Sequence, residues 1–289
     1  MLHRCAGRCP PRGPSRLGAA LRRDQPVGVA YTSSMSADPS QPAARFDAVD
    51  ALRGFAMVWM TAFHFCFDLN QFGYIRQNFY ADPFWTWQRV VIVSLFLFCA
   101  GLGQAIATQR GQTWPHFWRR WRQIAACAVL VSVSSYIMFP NSWIYFGVLH
   151  GFAVMLVIAR LTAGWGNWLW ALGALAIAMK FVAAHALDMR SEAVFFNSNW
   201  LNWLGLITKK PVTEDYAPLI PWLGVMWWGV ASGSWLLRNR PAILAWRVPV
   251  MNQPLTWLGR WSLSYYMLHQ PMMMGVFMGI AWVGKLFAF

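Results

Sequence analysis

The residues best equipped for chemistry lie in 45–73, RFDAVDALRGFAMVWMTAFHFCFDLNQFG, where ionisable side chains interrupt an apolar run. On an α-helix turning about 100° per residue, Asp47, Asp50, Arg53, Gly54, Met57, Thr61, His64 and Asp68 share a sector of about 120°, while Phe55, Trp59, Phe63, Cys66 and Phe67 take the other faces. Histidine is the side chain best suited to accept and return a proton near neutrality. Asp68 follows His64 by one turn, close enough to orient the imidazole, set its tautomer and stabilise an imidazolium. Arg53 precedes His64 by three turns, about 16 Å along the axis, so a molecule touching both must be long and lie along the helix.

Other polar residues stand in apolar surroundings. Arg89 falls one turn inside the second apolar run and needs an anionic partner or a cavity. His150 (FGVLHG) is expected at a depth similar to His64. His269 and Gln270 interrupt the last run (SLSYYMLHQP), where Pro271 frees a backbone carbonyl. Asp215, beside Glu214 in TEDYAPLIPWLG, precedes a proline-marked helix start. Each has a simpler alternative: Asp50 and Arg53 as an i,i+3 ion pair, the histidines and Gln270 as helix-packing hydrogen bonds, the acidic loop as solvated surface.

These residues need a scaffold, and composition sets its class. Hydrophobic residues make up 57% of the 289 and charged residues 12%, with twenty Trp and twenty Phe. A soluble surface could not be built from this, whereas lipid-facing helices with interfacial aromatic belts could. The reading is an all-α, polytopic transmembrane bundle with about seven spans, at 47–67, 84–108, 117–139, 143–162, 167–186, 218–237 and 256–283, each near the ~20 residues a crossing requires. The stretch 195–207 is too short and is expected to be interfacial or re-entrant, with a hidden eighth span as the alternative.

The net charge of +14 sits between the apolar runs. Arg45, Arg110, Arg119, Arg120, Arg122, Arg160, Arg238, Arg240 and Arg247 fall on one side, against Arg76, Arg190, Lys209 and Lys210 on the other. Cationic loops are retained inside, so the N-terminus is expected in the cytoplasm and the protein in a bacterial inner membrane. No basic helix face points to nucleic acid. Residues 1–44, rich in Arg, Pro, Gly and Ser, read as a disordered basic tail within which Met35 is a candidate start; residues 45–289 form the membrane domain. The five cysteines lack zinc-ligand spacing, and no metal is expected.

Four segments in this order, RFDAVDALRGFAM…FHFCFDLNQFG, FGVLHG, DYAPLIPWLG and SLSYYMLHQP, closely resemble bacterial membrane proteins grouped with the catalytic domain of heparan-α-glucosaminide N-acetyltransferase. The Arg53-to-His64 spacing also resembles the R-x₁₀-H element of integral-membrane acyltransferases. The resemblance implies transfer of an acetyl group from cytoplasmic acetyl-CoA, as co-substrate, to an amino-sugar or other carbohydrate or amine acceptor on the outer side. It implies that Arg53, with Arg119, Arg120 or Arg122, holds the CoA phosphates. His64 would take the acceptor's proton or carry the acetyl group, with Asp68 orienting it, while Asp50, Arg89, His150, Asp215, His269 and Gln270 would support the site. A homodimer is left open. The competing readings are a small transporter, whose expected internal repeat is not evident, and a non-catalytic membrane scaffold.

Overall fold

The computed structural model describes residues 45–188, 193–198, 200–213 and 215–287; the tail 1–44, Arg190 and Glu214 lie outside them. Among the described residues every regular element is a helix: α1 Asp47–Gln71, α2 Pro83–Gln109, α3 Trp114–Met138, α4 Val148–Thr162, α5 Trp168–Asp188, α6 Ala193–Phe196, α7 Leu219–Asn239, α8 Pro241–Leu244, α9 Gln253–Arg260 and α10 Ser262–Phe287. Among the described residues three stretches are both long and apolar enough to cross a membrane, namely α2, α3 and Val148–Trp165. A further apolar stretch, Trp168–Ala183 in α5, is shorter, and polar or small residues interrupt the remaining long helices. The polar stripe lies on α1, His269 and Gln270 interrupt α10, and α7 mixes its aliphatics with Trp, Gly and Ser.

The apolar runs and the long helices coincide within a few residues, with one difference. The run 256–283 is two helices, α9 and α10, separated at Trp261. In 195–207 the described residues form only the end of α6 and one 3₁₀ turn, Asn202–Leu204, with no spanning helix. Polar side chains fold this segment back on itself. Asn197 donates to Thr208 Oγ1 (2.9 Å) and accepts from its amide (3.0 Å), and Asn202 donates to the Tyr145 hydroxyl (2.6 Å).

The main core lies where α2, α4 and α7 meet, around Leu97, Ala105, Leu149, Met155, Met226 and Val230. On its flank α1 turns its charged stripe inward: Asp50, Gly54, Met57 and Asp68 are buried, while Phe55, Val58 and Phe65 are exposed. Phe63, expected on an outer face, is buried because the segment after α1 folds over it, placing Phe79 and Trp85 against its ring. Charge in hydrocarbon is costly, and the inward orientation follows from that cost.

Two glycines let α1 and α9 approach backbone to backbone. A Cβ on Gly54 would collide with the Leu255 carbonyl, and one on Gly259 with the Asp50 carbonyl. At Gly279 on α10, by contrast, a Cβ would meet nothing within 4 Å. Gly54→Ala is therefore expected to destabilise the protein by about 1–3 kcal/mol through overpacking. Gly279→Ala should leave stability unchanged or raise it through helix propensity. Thermal melts of both variants in detergent check this opposition of sign.

Candidate active site

The α1–α9 contact organises a cluster of charge at one end of the bundle. The buried Asp50 carboxylate accepts from Arg45 Nε (3.0 Å) and Arg53 Nη1 (3.1 Å), with Arg260 Nε at 3.8 Å. Arg53 also donates to the Gly259 carbonyl (3.4 Å), and Arg260 pairs with Asp47 (2.9 Å). The ion pair read from the i,i+3 spacing is thus present, and it forms part of a larger cluster that fixes the Arg53 guanidinium.

Beside it opens a cavity of about 570 Å³ whose rim carries Arg45, Arg53, Arg110 and Arg120, with His116, around the single carboxylate of Asp50. Further in, the walls become apolar: Phe96, Leu149, Phe152, Leu156 and the ring of Tyr266. Gln104, 6% exposed, also lines it, and its amide nitrogen has no hydrogen-bond partner. The arginine expectation divides here. Arg120 lines the cavity, whereas Arg119 and Arg122 do not, because neighbouring helix positions point about 100° or more apart.

His64 does not line this cavity. Between it and Arg53, Met57 and Met60 belong to an apolar cluster against which Phe96, Tyr265 and Tyr266 pack. Beyond that cluster, the edge of the His64 ring meets the His269 ring, with centroids 5.3 Å apart. His269 stacks on Tyr265 (5.8 Å, 10° between planes), whose hydroxyl bonds Thr61 Oγ1 at 2.6 Å. The expected Asp68–His64 hydrogen bond is not formed. Asp68, fully buried, accepts from Gln270 Nε2 at 2.9 Å. Four buried polar atoms here have no partner: His64 Nδ1, Asp68 Oδ2, His269 Nε2 and Gln270 Oε1. Buried polar atoms are nearly always paired, so this polar cluster is left with unmet hydrogen-bonding capacity.

The remaining candidates lie around the start of α4. His150 Nδ1 accepts from the Gly147 amide (3.3 Å), which makes Nε2 the protonated nitrogen that bonds Ser132 Oγ at 3.0 Å. It is fully engaged as a helix-start residue. The Asp215 carboxylate accepts from the Val148 amide at 2.6 Å, capping α4 from a loop 67 residues away, so it is no solvated surface group. Arg89 finds the Phe79 carbonyl (3.4 Å) and the Tyr80 ring (5.9 Å), and its charge acts on Asp215. Among the described residues no group of three or more His, Cys, Asp or Glu is placed to hold a metal.

A family profile described as heparan-alpha-glucosaminide N-acetyltransferase, catalytic, matches residues 45–271. The chain belongs to this family. No curated protein and no solved structure matches the chain. The match to the heparan-alpha-glucosaminide N-acetyltransferase catalytic family covers α1 through the first half of α10 and so takes in the cavity, the histidine pair and Asp215. Within that span the sequence reading missed Gln104, Arg260 and Tyr266. Gln104 carried a signal, being a polar residue in a strongly apolar stretch of α2; Arg260 and Tyr266 acquire their positions only from how α9 and α10 pack.

Burial pushes the Asp215 carboxyl above the usual carboxylate range, against the opposing pull of the Val148 amide and the Lys210 charge. The folded chain then binds the proton more tightly than the unfolded chain, so this group's contribution to stability falls as pH rises above the ordinary carboxylate pKa. Asp215→Asn keeps an acceptor for the Val148 amide and removes the titration. Melting temperatures between pH 4 and pH 7 should decline less steeply in the variant than in wild type.

Proposed function

We propose that the chain is an integral-membrane acetyltransferase that takes an acetyl group from acetyl-CoA entering at the arginine-rimmed cavity. It passes that group to an amine or hydroxyl of a carbohydrate acceptor reaching the histidine cluster from the opposite side. The cavity carries the reading: a cationic rim suits a polyphosphate nucleotide, and the apolar inner wall suits an extended pantetheine arm. Membership of an acetyltransferase family supports it. Among the described residues seven helices have 15 residues or more; on this proposal they are the spans, the arginine-rich loops lie inside, and the rim faces the cytoplasm of a bacterial inner membrane.

In the transfer, the acceptor's nitrogen or oxygen attacks the thioester carbonyl, the new C–N or C–O bond forms, and the C–S bond breaks. His64 takes the acceptor's proton and returns it to the departing thiolate, so acetyl-CoA and acceptor become free CoA and acetylated acceptor. Asp68 Oδ2 and Gln270 Oε1 receive the acceptor's N–H or O–H donors. To reach His64 the acetyl arm must displace the packing of Tyr266 and Met57, which makes opening of this apolar layer part of the cycle.

Two results check the reading. Arg120→Gln should weaken CoA binding about 10- to 100-fold, the worth of one charge-assisted hydrogen bond, while Arg119→Gln leaves it unchanged. Thermal shift against millimolar CoA measures both, and the absence of any shift in wild type would remove acetyl-CoA from the account. CoA release with glucosamine-type acceptors should fall about 10²- to 10⁴-fold in His64→Ala; full activity there would remove the proposed base.

A further inference from the structure

The histidine cluster contains a proton arrangement that its hydrogen bonds determine. His269 Nδ1 lies 2.8 Å from the Tyr266 backbone carbonyl, which can only accept, so Nδ1 carries the proton. Nε2 of the same ring is therefore a bare acceptor. His269 is 7% exposed, and its Nε2 is buried without a partner. The facing ring has the complementary defect, because His64 Nδ1 is also buried and unpartnered. The two rings meet edge to face with centroids 5.3 Å apart, so the orphaned nitrogens belong to neighbouring rings, and turning the rings about their side-chain torsions would bring them together.

One proton satisfies both orphaned atoms. We propose that His269 is the positioning residue for His64, its Nε2 accepting the His64 Nδ1–H so that His64 Nε2 is left bare and aimed at the acceptor. The chain runs from the Tyr266 carbonyl through His269 to His64. The backbone carbonyl sets one tautomer, and that tautomer sets the next. The stack of Tyr265 on His269, itself tied to α1 through Thr61, holds the second ring in place while the first works. His269 thus fills the orienting role that the one-turn spacing suggested for Asp68, which leaves the Asp68–Gln270 pair free for the acceptor. A carbonyl–imidazole–imidazole relay also stabilises the imidazolium formed when His64 takes a proton, since the positive charge is shared along two hydrogen bonds.

The inference rests on the acetyltransferase reading for its chemistry, but its central claim can be measured without turnover. With selective ¹⁵N-histidine labelling only six histidines contribute signals, and the His64 signal is identified by its absence in His64→Gln. In resting wild type it should show a protonated Nδ1 and a bare Nε2; a protonated Nε2 would overturn the proposal. For activity, His269→Gln keeps an acceptor near the Nε2 position, whereas His269→Phe removes it. His269→Phe should lower kcat for CoA release about 100-fold with KM for acetyl-CoA unchanged, and His269→Gln should recover most of that loss. Equal rates in the two variants at matched melting temperatures would contradict a positioning role. If wild type releases no CoA, the acetyltransferase reading fails while the ¹⁵N result still decides the tautomer.

Discussion

Charge cannot be left facing hydrocarbon, and the architecture follows from how one helix meets that constraint. α1 carries Asp47, Asp50, Arg53, His64 and Asp68 along a single side, which must turn toward protein. The partners that receive it are specific. α9 comes close enough for its backbone to touch that of α1, because both contact points are glycine, and α10 supplies Tyr265, His269 and Gln270 along the rest of the stripe. A buried carboxylate is costly unless paired. Asp50 meets this condition with Arg45 and Arg53 at hydrogen-bond distance, and in doing so it holds Arg53 at the cavity rim.

The polar surface created this way has two parts of different character. One is a cationic cavity with an apolar wall, able to hold an anionic head and a long neutral arm. The other is a buried cluster rich in hydrogen-bond acceptors, with two imidazoles edge to face. An apolar layer around Met57, Phe96 and Tyr266 separates them.

Much of this was legible in the residues, and the limits are instructive. The helical spacing of Asp50, Arg53, His64 and Asp68 predicted one inward face, since helix geometry is local and needs no knowledge of partners. Spacing could not say which partner each side chain would choose. Asp68 is one turn from His64 yet bonds Gln270, 202 residues away, and Asp215 caps a helix 67 residues before it. For Arg119, Arg120 and Arg122 the positive charge was legible, but which of them lines the cavity depends on the rotation of α3 about its own axis. His150 and His269 looked alike in sequence. The first has both nitrogens engaged at the start of α4, and the second keeps one bare, a difference that only packing decides.

The claim on which the rest depends is that the stripe and α2 enclose an aqueous, ligand-accessible space. Cysteine labelling tests it most directly, in a background with all five cysteines, Cys5, Cys9, Cys66, Cys99 and Cys127, replaced. A cysteine introduced at Ala107, on the cavity wall, should react with a membrane-impermeant maleimide and be protected by CoA, while one at Ala126, on the exposed side of α3, should be inert in membranes and indifferent to CoA. Labelling at position 107 that CoA does not alter, or equal reactivity at the two positions, would contradict the account.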